Sequence, residues 1–235
     1  MSGHSKWATT KRAKGAADIK RAAVFTKLSN AITIASKLGG GDPGANFRLR
    51  LAIDQAKAAN VPKDNIDRAI KRGTGELGGG VPEEVTYEGF GAAGAAFIIE
   101  CLTDNRNRTS AAIKHILTKA GGSLGGPNAV SWMFEQKGVI RVKAISDELE
   151  LELIDAGATD IDRDEDGGIV YTAPADLKKI KDWLESRGLT CDFAAVEMIP
   201  KEKKVLNEEE KEKIQKMIDE LEENEDVNNY YTNAE

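Results

Sequence analysis

Residues Thr74 to Pro82 divide this chain into two parts with different periodicities. The stretch holds Gly75 and the triplet Gly78-Gly79-Gly80, so it reads as a linker and a domain boundary. Before it, apolar residues recur at three- and four-residue steps. Val24, Leu28, Ala31, Ile32 and Ala35 form one stripe of a first helix, which Gly39-Gly40-Gly41-Asp42-Pro43-Gly44 stops after Leu38. Leu49, Ala52, Ile53 and Ala56 line a second helix over residues 45–60. Ile66, Ala69 and Ile70 line a third, with Pro62 where a first helical residue tolerates proline and Gly73 at the end. Lys6 to Lys14, basic and polar around Trp7, is also read as helical. Short helices with one apolar stripe each bury those stripes against one another, which predicts a small bundle.

After the linker the pattern alternates. Residues 85–87 and 95–102 read as strands, 109–120 as a helix burying Ile113, Ile116 and Leu117, and 129–134 as another strand. A more regular stretch follows: strand 139–142, helix 147–156, strands 159–161 and 169–172 around a charged turn, helix 175–187 and strand 192–199. That order is βαββαβ, the ferredoxin-like unit. A helix over 207–223, with Ile214, Met217, Ile218 and Leu221 on one face, and a short strand over 227–232 could complete the earlier strand–helix–strand. The expectation is therefore an α+β chain: an N-terminal three-helix bundle, then two ferredoxin-like α/β domains, one inserted in the other. The expected domains are 1–77, 78–136 with 205–235, and the inserted 137–204.

Charge is distributed as unevenly as periodicity. From Met1 to Arg72 there are fifteen Lys/Arg against five Asp/Glu, whereas the whole chain carries a net charge of −6. A cationic head attracts phosphate backbones and an acidic body repels them, which is a physical basis for oriented docking on nucleic acid. The side chains placed at this contact are Lys6, Lys11, Arg12, Lys14, Lys20, Arg21, Lys27, Arg48, Arg50 and Arg68. Lys63, Lys71 and Arg72 add to the same field. Such residues bind phosphates, which position a protein but read no sequence. Trp7 either stacks on a base or packs on the bundle.

Other motifs fail on context. Gly89-Phe90-Gly91-Ala92-Ala93-Gly94 matches G-x-G-x-x-G, but it opens the strand-like Ala95-Ala96-Phe97-Ile98-Ile99 where a dinucleotide site needs a helix. A tight hairpin is expected there, and no cofactor. Asp162-Arg163-Asp164-Glu165-Asp166-Gly167 begins like an EF-hand loop, but Ala173 stands where the bidentate Glu belongs, so a solvated turn is expected and no metal. Asp104-Asn105-Arg106-Asn107-Arg108-Thr109 precedes a helix. It is either a capping segment or a phosphate site using that N-terminus with Arg106 and Arg108. With two histidines, no P-loop and no nucleophile elbow, no enzyme is expected. Neither an apolar run of membrane-span length nor a secretion signal is present, and Cys101 and Cys191 read as reduced, buried hydrophobes. A cytoplasmic location is expected from these features.

Gly3-His4-Ser5-Lys6-Trp7, Phe25-Thr26-Lys27-Leu28, Leu38-Gly39-Gly40-Gly41-Asp42-Pro43, Asn46 with Leu49-Arg50, Ile66-Asp67-Arg68-Ala69-Ile70, Tyr87-Glu88-Gly89 and Asp104-Asn105-Arg106-Asn107-Arg108-Thr109 strongly resemble the YebC family. That family includes the mitochondrial translational activator of cytochrome oxidase subunit one. The resemblance runs along essentially the whole chain. It implies three domains and a cytoplasmic, non-enzymatic role in gene expression, with DNA or RNA, and the ribosome, as partners. Members are described as transcriptional regulators that bind promoter DNA, and others act on translation, relieving stalls at proline runs. Thr9-Thr10, ahead of Lys11-Arg12-Ala13-Lys14, departs from the usual family wording.

Overall fold

The structure, a computed structural model, describes residues 18–77, 81–143, 145–164 and 167–235. The expected helical start at Lys6–Lys14 lies outside them. Two compact units emerge. One is Phe134–Lys201, and the other holds the described residues up to Met133 together with Glu202–Glu235. Along the chain, the first therefore interrupts the second.

The larger unit begins with three helices: α1 (Asp18–Gly39), α2 (Phe47–Ala58) and α3 (Lys63–Gly73). Their core is Ile32, Ala35, Leu49, Ala52, Ile53, Ala56, Val61, Ile66 and Ala69. The expected single stripe on α1 understates its burial. Residues Ile32 to Ser36 are buried all round, because α1 packs against α2 and α3 and also touches two strands of a sheet. Val24, placed on the stripe by its spacing, is instead 41 % exposed.

Asn46 joins the first two helices. Its Oδ1 accepts the Leu49 N–H (3.0 Å) as the N-cap of α2, while its Nδ2 donates to the carbonyls of Ala35 and Gly40, both at 2.8 Å. Gly73 joins the third. A Cβ there would lie 2.2 Å from the Thr33 carbonyl oxygen and 2.6 Å from the Ser36 Cβ, so only glycine lets α3 approach α1 this closely.

The sheet of this unit has the order β3-β1-β2-β8, with every pairing antiparallel. Its strands are β1 (Glu83–Phe90), β2 (Ala96–Thr103), β3 (Ser123–Leu124) and β8 (Val227–Thr232). Helices α4 (Arg106–Lys119) and α7 (Glu208–Glu223) supply Ile113, Leu117, Ile214, Met217, Ile218 and Leu221, which bury Phe97, Ile99 and Cys101 of β2. The glycine-rich 89–94 motif is the β1–β2 hairpin, closed by the Gly91 N–H to the Ala95 carbonyl at 2.7 Å. Here β2, α4 and β3 make a split βαβ with β1 between its strands. The hairpin therefore precedes the crossover, and the chain order differs from the expected βαββαβ.

The strand expected over 129–134 is a correction. Ser131–Met133 is a 3₁₀ turn, Phe134 opens the next strand, and the third strand of the sheet is the two-residue Ser123–Leu124. The reason lies in hydrogen bonding. The Glu88 carboxylate accepts the backbone N–H groups of Asn128 (3.0 Å), Val130 (2.8 Å) and Ser131 (2.9 Å), donors that a ladder would otherwise need. Burial pushes the Glu88 carboxyl up, and these three N–H groups outweigh it, so its pKa falls below the ordinary value.

The second unit contains β4 (Phe134–Val142), α5 (Asp147–Ala156), β5 (Ala158–Asp164), β6 (Gly167–Thr172), α6 (Leu177–Ser186) and β7 (Cys191–Pro200). The sheet order β5-β6-β4-β7, all antiparallel, is the βαββαβ arrangement expected. Leu153, Leu177, Ile180 and Leu184 are the buried apolar residues of its helices. Ser146 caps α5, with Oγ accepting the Leu149 N–H at 3.2 Å, and Gly157 ends it at φ +115°. The EF-hand-like segment begins in β5 and ends at the start of β6, two antiparallel neighbours, and its residues 165–166 lie outside the described residues.

Gly73→Ala is expected to destabilise the protein by about 1–3 kcal/mol, the usual cost of forcing a methyl group into a filled contact. A fall in the urea midpoint without a change in slope is the measurement that checks it.

Candidate nucleic-acid interface

The cations proposed for phosphate contact fall into distinct classes. Lys6, Lys11, Arg12 and Lys14 lie outside the described residues, as do the side chains of Lys20 and Arg21, whose backbone belongs to α1. Lys27 donates through Nζ to the Glu222 carbonyl at 2.6 Å, across from α1 to the end of α7. Arg48 of α2 pairs with Glu84 of β1. Arg50 lies over the Phe47 ring, 5.3 Å from its centre. Arg68 is exposed and its side chain, among the described residues, makes no ion pair or hydrogen bond.

Lys37, Lys57, Lys63 and Lys71 share the state of Arg68. Five exposed cations are thus spread over α1, α2 and α3. Lys37 and Lys57 were not singled out by sequence, because isolated lysines carry no pattern. Lys27 and Arg48 instead tie the bundle to the end of α7 and to β1. An exposed ion pair such as Arg48–Glu84 contributes little to stability, and a phosphate can compete for its guanidinium.

Arg106 and Arg108 sit at the N-terminus of α4, where the capping reading is realised. Asn105 Oδ1 accepts the Arg108 N–H at 3.0 Å. Arg106 pairs with Glu83 at 2.9 Å, and Arg108 with Asp104 (3.1 Å) and Asp226 (2.9 Å). The Thr109 hydroxyl donates to the same Asp226 at 2.8 Å. A cleft of about 530 Å³ opens beside them, walled by Thr26 and Asn30 of α1, Arg72, Asp104, Arg108 and the turn Asn224–Asp226. Its three carboxylates, Asp104, Glu225 and Asp226, outnumber its two guanidinium groups, Arg72 and Arg108, so an incoming phosphate would have to displace Asp104 and Asp226 to reach Arg108.

Beneath the bundle, the sheet carries a small acidic cluster. The Tyr231 hydroxyl donates to Glu100 at 3.3 Å and accepts from Asn229 Nδ2 at 2.8 Å. Burial pushes the Glu100 carboxyl above its ordinary value. The Tyr231 hydrogen bond opposes this, Glu84 adds to it, and Arg48 offsets part of it. Arg48 therefore has two acidic neighbours on the sheet. Among the described residues, no group of three or more His, Cys, Asp or Glu side chains is placed to hold a metal ion. No described helix is long and apolar enough to cross a membrane.

Residues 5–76 match the TACO1/YebC protein N-terminal domain, and residues 82–234 match the TACO1/YebC second and third domain. The chain belongs to the TACO1/YebC family. It is 52 % identical over 237 residues to a protein of Syntrophus aciditrophicus named "Probable transcriptional regulatory protein", covering 99 % of this chain and 95 % of that one. A protein of the same name from Pelotomaculum thermopropionicum is 48 % identical, covering 100 % of this chain and 99 % of its own length. The crystal structure of a conserved hypothetical protein from Aquifex aeolicus superposes with a TM-score of 0.84 at 43 % identity, covering 92 % of this chain and 90 % of that one. The family fold is therefore this α+β arrangement of N-terminal helices and two small antiparallel sheets.

Glu100→Gln is expected to stabilise the protein at neutral pH. A carboxyl whose folded pKa is raised penalises folding while it is ionised, and the penalty disappears as the pH falls and the folded form takes up its proton. The advantage of the amide should therefore shrink on acidification. Urea midpoints of the two proteins at neutral and mildly acidic pH check this.

Proposed function

We propose that this TACO1/YebC member is a non-catalytic, nucleic-acid-binding regulator of gene expression, with DNA as its target in transcriptional control. The observation that carries the reading is the contrast between the cationic bundle and the rest of the chain. Lys37, Lys57, Lys63, Arg68 and Lys71 stand exposed without internal partners among the described residues, on a segment where basic residues outnumber acidic ones threefold. The names of the relatives support a regulatory role. Docking would be electrostatic: the bundle neutralises phosphates while the acidic remainder is held away from the polyanion.

A second reading is a ribosome-associated translation factor that binds RNA and relieves stalled translation. It is favoured by the spread of the exposed cations over three helices. A major-groove reader concentrates its contacts on one helix, whereas dispersed lysines suit a folded phosphate backbone. Both readings place the protein in the cytoplasm. Footprinting at one promoter with strong preference over random duplex supports transcription, and ribosome co-sedimentation that survives DNase supports translation.

Replacing Lys63, Arg68 and Lys71 together by alanine should weaken binding to every sequence alike. It should also flatten the salt dependence by about 0.9 log units for each lost phosphate contact on duplex DNA. Binding measured across a salt series tests this, and an unchanged slope removes these side chains from the interface.

A further inference from the structure

Helix α5 buries one side and leaves apolar groups uncovered on the other. Leu153 is fully buried, and Leu149 and Ala156, which share its face four residues before and three after, are half-buried. On the far side Leu151 is 68 % and Ile154 52 % exposed, one turn apart. A single exposed apolar side chain is ordinary, but two neighbours on one helix face make a patch. Acids border it: Asp147 and Glu148 lie one turn before Leu151, and Asp155 one turn after it. From Asp147 to Asp164 the chain holds eight Asp/Glu and one basic residue, Arg163.

Folding accounts for some of these side chains and not for others. Asp147, Glu148 and Glu150 stand in the first turn, where the helix dipole favours negative charge. Arg163 of β5 pairs with Asp147 at 2.6 Å and with Glu150, and Arg187 pairs with Glu152 at 2.8 Å. The side chains of Glu148 and Asp155 make no ion pair or hydrogen bond among the described residues. Asp155 also stands in the last turn, where the dipole opposes it and the helix has no basic residue. The Lys179 ammonium near that end donates to the Ala156 carbonyl at 2.8 Å. The folded chain therefore gains nothing from the exposure of Leu151 and Ile154 or from the charge of Asp155.

We propose that this face of α5 docks a basic amphipathic segment of another protein, one that carries Lys or Arg on either side of an apolar stripe. Charge selects the occupant. Nucleic acid and anionic lipid are repelled by these carboxylates, and a second α5 packed symmetrically against the first would bring like charges together. A helical ligand offers apolar anchors at three- and four-residue steps, which match the one-turn spacing of Leu151 and Ile154. Its flanking cations meet Glu148 and Asp155, and such rim charges set specificity and association rate around an apolar centre. This docking does not depend on what the basic bundle binds.

The test uses the full-length protein and a fluorescent peptide of leucine and lysine about five helical turns long, with its leucines on one face. Two comparison peptides carry serine for leucine or glutamate for lysine, and both should bind more weakly than the first. Leu151→Ser with Ile154→Ser should weaken binding of the leucine–lysine peptide roughly 10-fold or more, as expected for loss of the central apolar contacts. Glu148→Gln with Asp155→Asn should weaken it too and reduce its salt dependence. Asp155→Asn alone should raise the urea midpoint, because it removes a charge that the dipole opposes, so its effect on binding is not a loss of fold. Glu208→Gln with Glu212→Gln on α7 removes the same charge elsewhere and should leave binding unchanged. Equal binding by wild type and Leu151→Ser/Ile154→Ser, equal losses for the two charge pairs, or no binding by the wild type overturns the proposal. Self-association of the wild type that Leu151→Ser abolishes also overturns it, since the occupant is then a second copy of the chain.

Discussion

The pairing of β8 with β2 is the contact on which the larger unit depends. β2 is an interior strand buried along nearly its whole length, and β8 covers the edge that the β1 hairpin leaves open. The turn just before β8 carries Asp226, which accepts from Arg108 and Thr109, residues more than a hundred positions earlier in the chain. Asn233, just beyond β8, accepts the Ala96 N–H at 2.8 Å through its side chain and the Lys204 N–H at 2.7 Å through its carbonyl. The chain that returns after Lys201 is thereby fastened to both ends of β2. Long-range pairing of this kind costs loop-closure entropy, which the apolar face shared by α4 and α7 has to offset.

The same sheet gives the bundle its footing. Lys27 reaches the end of α7 and Arg48 reaches β1, so two cations of the basic head serve as internal attachments. The cations farther along the helices remain available to solvent ions. A charge count treats all of these alike. The fold sorts them by where an acid or carbonyl comes within reach, and screening in salt weakens each group differently according to its exposure.

Much of this architecture was legible because it rests on local signals. Ser146 and Gly157 bracket α5 as cap residues should, and the helix spans the residues that the pattern marked. The strand Val227–Thr232 and the hairpin at Gly91–Gly94 were also readable, one from its β-rich residues and the other from its glycines. Illegible features depended on distant partners. Val130, Trp132, Met133 and Phe134 look like a strand until the Glu88 carboxylate, some forty positions away, takes the N–H groups of Asn128, Val130 and Ser131. A two-residue strand such as Ser123–Leu124 has no periodicity to detect. For the interface, the cations could be counted in the sequence, but Glu83, Glu84 and Asp226 could not be matched to Arg106, Arg48 and Arg108 without the fold.

Cys101 lies at the centre of this arrangement, 1 % exposed on β2, with its thiol pushed up to about 12, chiefly by burial. A thiol so placed holds almost no thiolate at physiological pH and is inert to oxidants and alkylating reagents while the sheet stays closed. Its capture by such a reagent would therefore time the opening of the molecule's interior, giving this fold a built-in clock for its slowest motion.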